Sequence, residues 1–131
     1  MVGDPISNML ITIKNAGAVK KPAVSFGYSK IKLAIAKILE REGFIKKVEV
    51  KGKKNGKAIE VEMVYEKTGE PKVSGVKRIS KQSKRVYGGY REIYKIKNGI
   101  GLAVYSTTKG LVTDTEARKA KLGGEVLFEI W

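Results

Sequence analysis

The chain has 131 residues with 27 Lys or Arg, 13 Asp or Glu and no His, a formal net charge of +14, and 42% of it is hydrophobic. That is enough to bury a core in one compact unit or two small ones, and it excludes a wholly disordered basic tail. With neither Cys nor His present, disulfides, Cys/His zinc sites, thiol nucleophiles and the imidazole general base are all excluded.

Asp4-Pro5 reads as a helix start, the carboxylate capping free N–H groups and proline taking the first helical position. Ile6, Met9, Leu10 and Ile13 follow at helical spacing, Lys14 and Asn15 lie at the polar end, and Asn15-Ala16-Gly17 is expected to close the helix. A short strand is expected from Ala23 to Phe26, broken by Gly27. Ser29 is the next N-cap, before Ile31, Ala34, Ile35, Ile38 and Leu39 on one buried face, and Gly43 ends that helix. Phe44 to Val50 and Ile59 to Tyr65 alternate as strands around a Gly52-Lys53-Lys54-Asn55-Gly56 loop.

Periodicity stops at Thr68-Gly69-Glu70-Pro71, which sets expected domains at 1–68 and 69–131. Beyond it, strands are expected at Val76 to Ile79, Arg85 to Tyr87, Leu102 to Ser106, Gly110 to Val112 and Val126 to Trp131. Thr113 and Glu116 form a capping box for one short helix, with Gly123-Gly124 past its end. The fold class is α+β: an N-terminal α-β-α-β-β unit followed by a mostly antiparallel β unit with one short helix.

Charge is uneven. Residues 72–110 hold ten basic side chains and one acid, Glu92, whereas residues 111–131 are close to neutral. A basic segment of this density and a pI near 9.9 point to a polyanion, with an anionic membrane surface as the competitor. The most apolar run, Gly99 to Tyr105, is far below the roughly 18 residues of a membrane span. The N-terminus lacks the basic start and apolar run of a secretory signal, so a cytoplasmic location is expected.

Three motif matches fail on context. Ser106-Thr107-Thr108-Lys109 has the Ser-x-x-Lys spacing of an acyl enzyme but follows a strand and runs into Gly110. Gly99-x-Gly101 has Val104 where the dinucleotide fingerprint needs a small residue, and the Gly52 to Lys57 segment is one residue short of a P-loop. What remains is three consecutive hydroxyls, a lysine and a glycine at a strand-to-strand turn. Hydroxyls donate and accept, which suits base edges, phosphates and the ribose 2′-OH; the plainer alternative is a turn satisfying its own backbone. Tyr87, Tyr90 and Tyr94 interleave with Lys84, Arg85, Arg91, Lys95 and Lys97, aromatics among cations that support base stacking, although Tyr87 also fits a strand core.

Asp4-Pro5-Ile6, Met9-Leu10, Ile13-Lys14-Asn15-Ala16, Ser29-Lys30, Glu42-Gly43-Phe44-Ile45, Arg78-Ile79-Ser80, Arg85-Val86-Tyr87, Asn98-Gly99-Ile100-Gly101, Ser106-Thr107-Thr108-Lys109-Gly110, Glu116-Ala117-Arg118 and Gly123-Gly124-Glu125-Val126 occur in order over nearly the whole chain. Together they resemble the bacterial small ribosomal subunit protein S-eight family. The resemblance implies a two-domain, non-enzymatic, cofactor-free ribosomal protein that binds the central domain of 16S-type rRNA early in assembly, contacts neighbouring ribosomal proteins, and in many bacteria represses its own operon through an mRNA site. A generic double-stranded nucleic-acid binder is the alternative.

By motif position, the resemblance places RNA contacts at Ser106, Thr107, Thr108, Lys109 and Gly110. Arg85, Tyr87 and the Gly123-Gly124-Glu125 turn support them, and Ser29, Lys30, Asp4, Pro5, Lys14 and Asn15 supply the N-terminal contacts. In so basic a setting, Glu125 is expected to orient the hydroxyl turn, the plainer alternative being a residue that merely starts a strand. Two positions depart from the family pattern: Gln82-Ser83 stand where Pro-Gly is common, and Thr108 replaces the last serine of Ser-Thr-Ser.

Overall fold

The computed structural model describes residues 4–53, 56–81, 84–89, 91 and 101–131. Its contacts divide the chain into two compact units, Met1–Ser74 and Gly75–Trp131. The Thr68 to Pro71 segment folds back on the first unit, through a Tyr65–Pro71 bridge and a Lys72 N–H bond to the Val64 carbonyl at 3.0 Å, so the division falls after Ser74.

The first unit contains α1 (Pro5–Ala18), β1 (Ala23–Gly27), α2 (Lys30–Arg41), β2 (Ile45–Lys51) and β3 (Ala58–Met63). Its antiparallel sheet has the order β1-β3-β2. Ile59, Val61 and Met63 of the central strand are buried, as are Met9, Leu10, Ile13, Ile35, Leu39 and Ile45; each fully buried aliphatic side chain contributes about 1.5 to 3 kcal/mol.

Helix α1 runs past the expected stop at Gly17. A side chain at Gly17 would place its Cβ 2.8 Å from the Pro71 Cβ, so this glycine serves helix packing. The chain leaves the helix at Lys20, which adopts φ +57, while Lys21 N–H donates to the Ala16 carbonyl at 2.9 Å. A lysine thus takes the left-handed position usually filled by glycine. In α2 the buried residues are Ile35, Ala36, Ile38 and Leu39. Ile31 stays 41% exposed in the first turn, because burial is concentrated in the later turns, where Glu40 accepts from Val48 N–H of β2 at 3.0 Å.

The second unit contains β4 (Val76–Arg78), β5 (Tyr87–Gly88), β6 (Leu102–Thr107), β7 (Gly110–Thr113), α3 (Asp114–Lys119) and β8 (Gly124–Ile130). Strand β8 is the hub, pairing antiparallel with β6, with β4 at Phe128 to Ile130 and with β5 at Gly124 and Glu125. Val104, Phe128 and Ile130 have no exposed surface. The capping box forms: Thr113 Oγ accepts from Glu116 N–H at 3.2 Å and the Glu116 carboxylate accepts from Thr113 N–H at 2.9 Å. Buried Asp114 accepts from Ala103 N–H at 3.1 Å, joining α3 to β6.

Strand β8 begins two residues before the expected Val126, because Lys121, with φ +56, ends α3. Gly124 thereby enters the sheet, while Gly123 lies just before it. Arg85 precedes β5 instead of starting it. The readings at Lys54-Asn55, Gln82-Ser83, Tyr90, Glu92, Tyr94, Lys95, Lys97 and residues 98–100 lie outside the described residues.

Candidate nucleic-acid interface

Thr107 and Gly110 face each other across β6 and β7, leaving Thr108 and Lys109 as the exposed turn. Gly110 adopts φ +101, while neither Thr108 nor Lys109 is among the residues with positive φ. The glycine takes the left-handed step that would strain a β-branched threonine. Thr107 Oγ1 donates to the Gly110 carbonyl at 2.8 Å and accepts from Lys109 N–H at 3.1 Å. No side-chain hydrogen bond among the described residues involves the hydroxyl of Ser106 or Thr108. Of the three hydroxyls, the middle one holds the turn and its neighbours stay available.

Ser106 also pairs with Glu125 of β8, and Glu125 pairs on its other side with Tyr87 of β5. The register therefore gathers Ser106, Glu125 and Tyr87 into one row across the sheet. Gly124 makes this possible: a Cβ there would overlap the Ser106 carbonyl and lie 3.1 Å from Thr107 Cγ2. Tyr87 is 68% exposed, so its ring is a surface group and no part of the strand core.

The Glu125 carboxylate accepts from the Ser80 hydroxyl and, at 2.8 Å, from the Arg85 guanidinium. These two bonds, hydroxyl first, hold its pKa below the usual glutamate value against the opposing effect of burial, and the same contact raises that of Arg85. The carboxylate bonds to Ser80 and Arg85 and so anchors the segment before β5, where the sequence reading had it orient the hydroxyl turn. Ser80 is fully buried and also accepts from Val86 N–H at 3.2 Å. Sequence reading missed it as a site residue: a lone serine carries no signal until the fold sets it against Glu125.

The remaining expected contacts lie in the first unit. Asp4 accepts from the Ile6 and Ser7 N–H groups, both at 3.2 Å, and Ser29 from Lys32 N–H at 3.2 Å, so both side chains cap helices. Pro5 and Lys30 are exposed at the starts of α1 and α2. Lys14 and Asn15 are exposed near the end of α1, about 14 Å along its axis from Pro5 at the usual rise per residue. The structure does not bring the two ends of α1 together.

Ser106 sits on β6 and Lys109 on a turn, without the helix that Ser-x-x-Lys activation requires. Among the described residues no cluster of acids could hold a metal ion, and no helix is long and apolar enough to cross a membrane.

An α-β-α-β-β unit followed by an antiparallel unit with one short helix defines an α+β protein of two compact units. The chain belongs to the ribosomal protein S8 family, whose model matches residues 4–131. It is 44% identical to the small ribosomal subunit protein uS8 of Halothermothrix orenii, over 99% of this chain and 98% of that protein. It is 43% identical to that of Persephonella marina over the full length of both, and 45% identical to that of Staphylococcus saprophyticus over 99% and 98%. The family is one of ribosomal proteins, and not of enzymes.

Proposed function

We propose that this protein is a primary rRNA-binding constituent of the small ribosomal subunit, and that it recognises the central domain of 16S-type rRNA through the turn at residues 106–110. The observation that carries this reading is the pair of uncommitted hydroxyls, Ser106 and Thr108, held on a turn that Thr107 and Gly110 close. Duplex RNA hides its base edges in a deep groove, so recognition must use the shallow minor groove or an irregular internal loop, which short hydroxyl side chains can approach. Lys109 supplies phosphate contact, Tyr87 a stacking face and Arg85 a guanidinium, and Gly123-Gly124-Glu125 support them from β8. Lys14, Asn15, Lys30 and Pro5 contribute from the first unit, where Asp4 and Ser29 fix helix starts.

On this reading the chain binds early in assembly and then meets neighbouring ribosomal proteins. A site in its own operon mRNA that mimics the rRNA would be held by the same turn and repressed. Chemical footprinting on the organism's small-subunit rRNA, with an unrelated RNA duplex as competitor, tests the proposal. A compact footprint in the central domain that survives the competitor is the expected result. A diffuse pattern titrated away by the duplex would mark a generic duplex binder.

A further inference from the structure

Glu125 lies in the row that also contains Ser106 and Tyr87. A carboxylate at a phosphate-binding surface repels the ligand, so its presence there calls for a physical reason. The Arg85 guanidinium matches carboxylate and phosphate with the same planar set of donors, and either anion can hold it. The two partners differ in freedom: the Glu125 side chain is 14% exposed and that of Arg85 51%. Buried Ser80 holds the carboxylate from within and also takes the Val86 N–H. If the pair opens, Glu125 stays in place with one donor while Arg85 swings outward.

We propose that Glu125 is a specificity-determining residue that stands in for an RNA phosphate, holding Arg85 in the free protein and yielding it only to a phosphate delivered beside Tyr87 and Ser106. This rests on the RNA-binding reading of the turn at residues 106–110. A half-exposed ion pair is weak enough to exchange. A phosphate in the right place collects Arg85, whereas one placed elsewhere gains nothing from it and meets the Glu125 charge, so wrong partners are penalised. The lysines around the site bind any polyanion, and this exchange makes one cation conditional on shape.

The test uses the full chain as wild type, E125Q, R85M and the double variant. Affinity is measured over a salt series for a central-domain rRNA fragment and for an unrelated RNA duplex, with a thermal midpoint for each protein. Gln keeps a carbonyl oxygen for Ser80 and loses the charge. E125Q is expected to bind the unrelated duplex at least about threefold more tightly, with a salt slope steeper by about 0.7 to 0.9 and no gain on the rRNA. In the R85M background the same change should give a clearly smaller gain, because only the repulsion of the Glu125 charge is then relieved. An unchanged duplex affinity in E125Q, or an equal gain without Arg85, overturns the proposal; the latter would mean only general repulsion.

Should E125Q fail to fold, R85M alone decides, since it alters an exposed side chain: rRNA binding should weaken and duplex binding stay constant, and equal losses overturn the proposal. A wild-type protein that does not prefer rRNA over duplex would sink the proposed function, while the E125Q measurement on the duplex still judges the Arg85 exchange.

Discussion

Thr107 Oγ1 donates to the Gly110 carbonyl at 2.8 Å across the β6–β7 turn and accepts from Lys109 N–H at 3.1 Å. This divides the labour of three adjacent hydroxyls. Thr107→Val removes both bonds and should lower stability by about 1 to 2 kcal/mol. Ser106→Ala removes none of the chain's own side-chain bonds, so its thermal midpoint should match the wild type while rRNA affinity falls. Thermal melts of the two variants side by side check this; an equal loss of stability in both would contradict the division.

Gly124 touches the other side of the same turn. A methyl group there overlaps the Ser106 carbonyl, and relieving it means displacing β8 from β6, an overpacking cost of about 1 to 3 kcal/mol. Gly27→Ala is the control: its nearest contact would be the mobile end of Lys32 at 3.9 Å, with no positive φ. Urea unfolding should show a clear loss for Gly124→Ala and little change for Gly27→Ala.

The Ser80 and Arg85 bonds lower the pKa of Glu125 in the folded protein. On acidification the unfolded chain therefore takes up this proton first, near the usual glutamate value of about 4.3. The stabilisation is fully present above that value and is lost as pH falls toward the lower folded pKa. Glu125→Gln should flatten this part of the stability-against-pH curve, read by melts between pH 6 and the acid limit. A curve as steep as the wild type would show that other carboxylates carry the effect.

Asp114 is 4% exposed and accepts from Ala103 N–H. Asp114→Ala leaves that N–H buried without an acceptor, at a cost of about 1 to 3 kcal/mol, whereas Asp114→Asn keeps an oxygen in place and should cost less. Equal destabilisation of the two in urea would show that charge at the start of α3 matters more than the bond to β6.

Much of this fold was legible from local chemistry. The Asp4-Pro5 start, the Ser29 cap and the Thr113–Glu116 box each depend on residues within four positions of one another, and all three form as expected. What escaped depends on distant partners. Gly17 lies inside α1, where Pro71 occupies the space that a side chain would need, and Lys20 and Lys121 take left-handed conformations that composition would assign to glycine. The hydroxyl turn was visible as a cluster of residue types, but its division between Thr107 and its neighbours needed the strand register. Ser80 and Glu125 are 45 residues apart, and no spacing rule links them.

The central claim is that the turn at residues 106–110 recognises RNA shape while the surrounding cations supply general affinity. The ratio of affinities for a central-domain rRNA fragment and an unrelated RNA duplex, at fixed salt, tests it most directly in Ser106→Ala. The loss of a contact worth about 1 to 3 kcal/mol should lower that ratio by about tenfold or more, with duplex binding and salt slope nearly unchanged. A variant with an unaltered thermal midpoint that loses affinity equally for both RNAs would contradict the account, because the hydroxyl would then contribute contact without recognition.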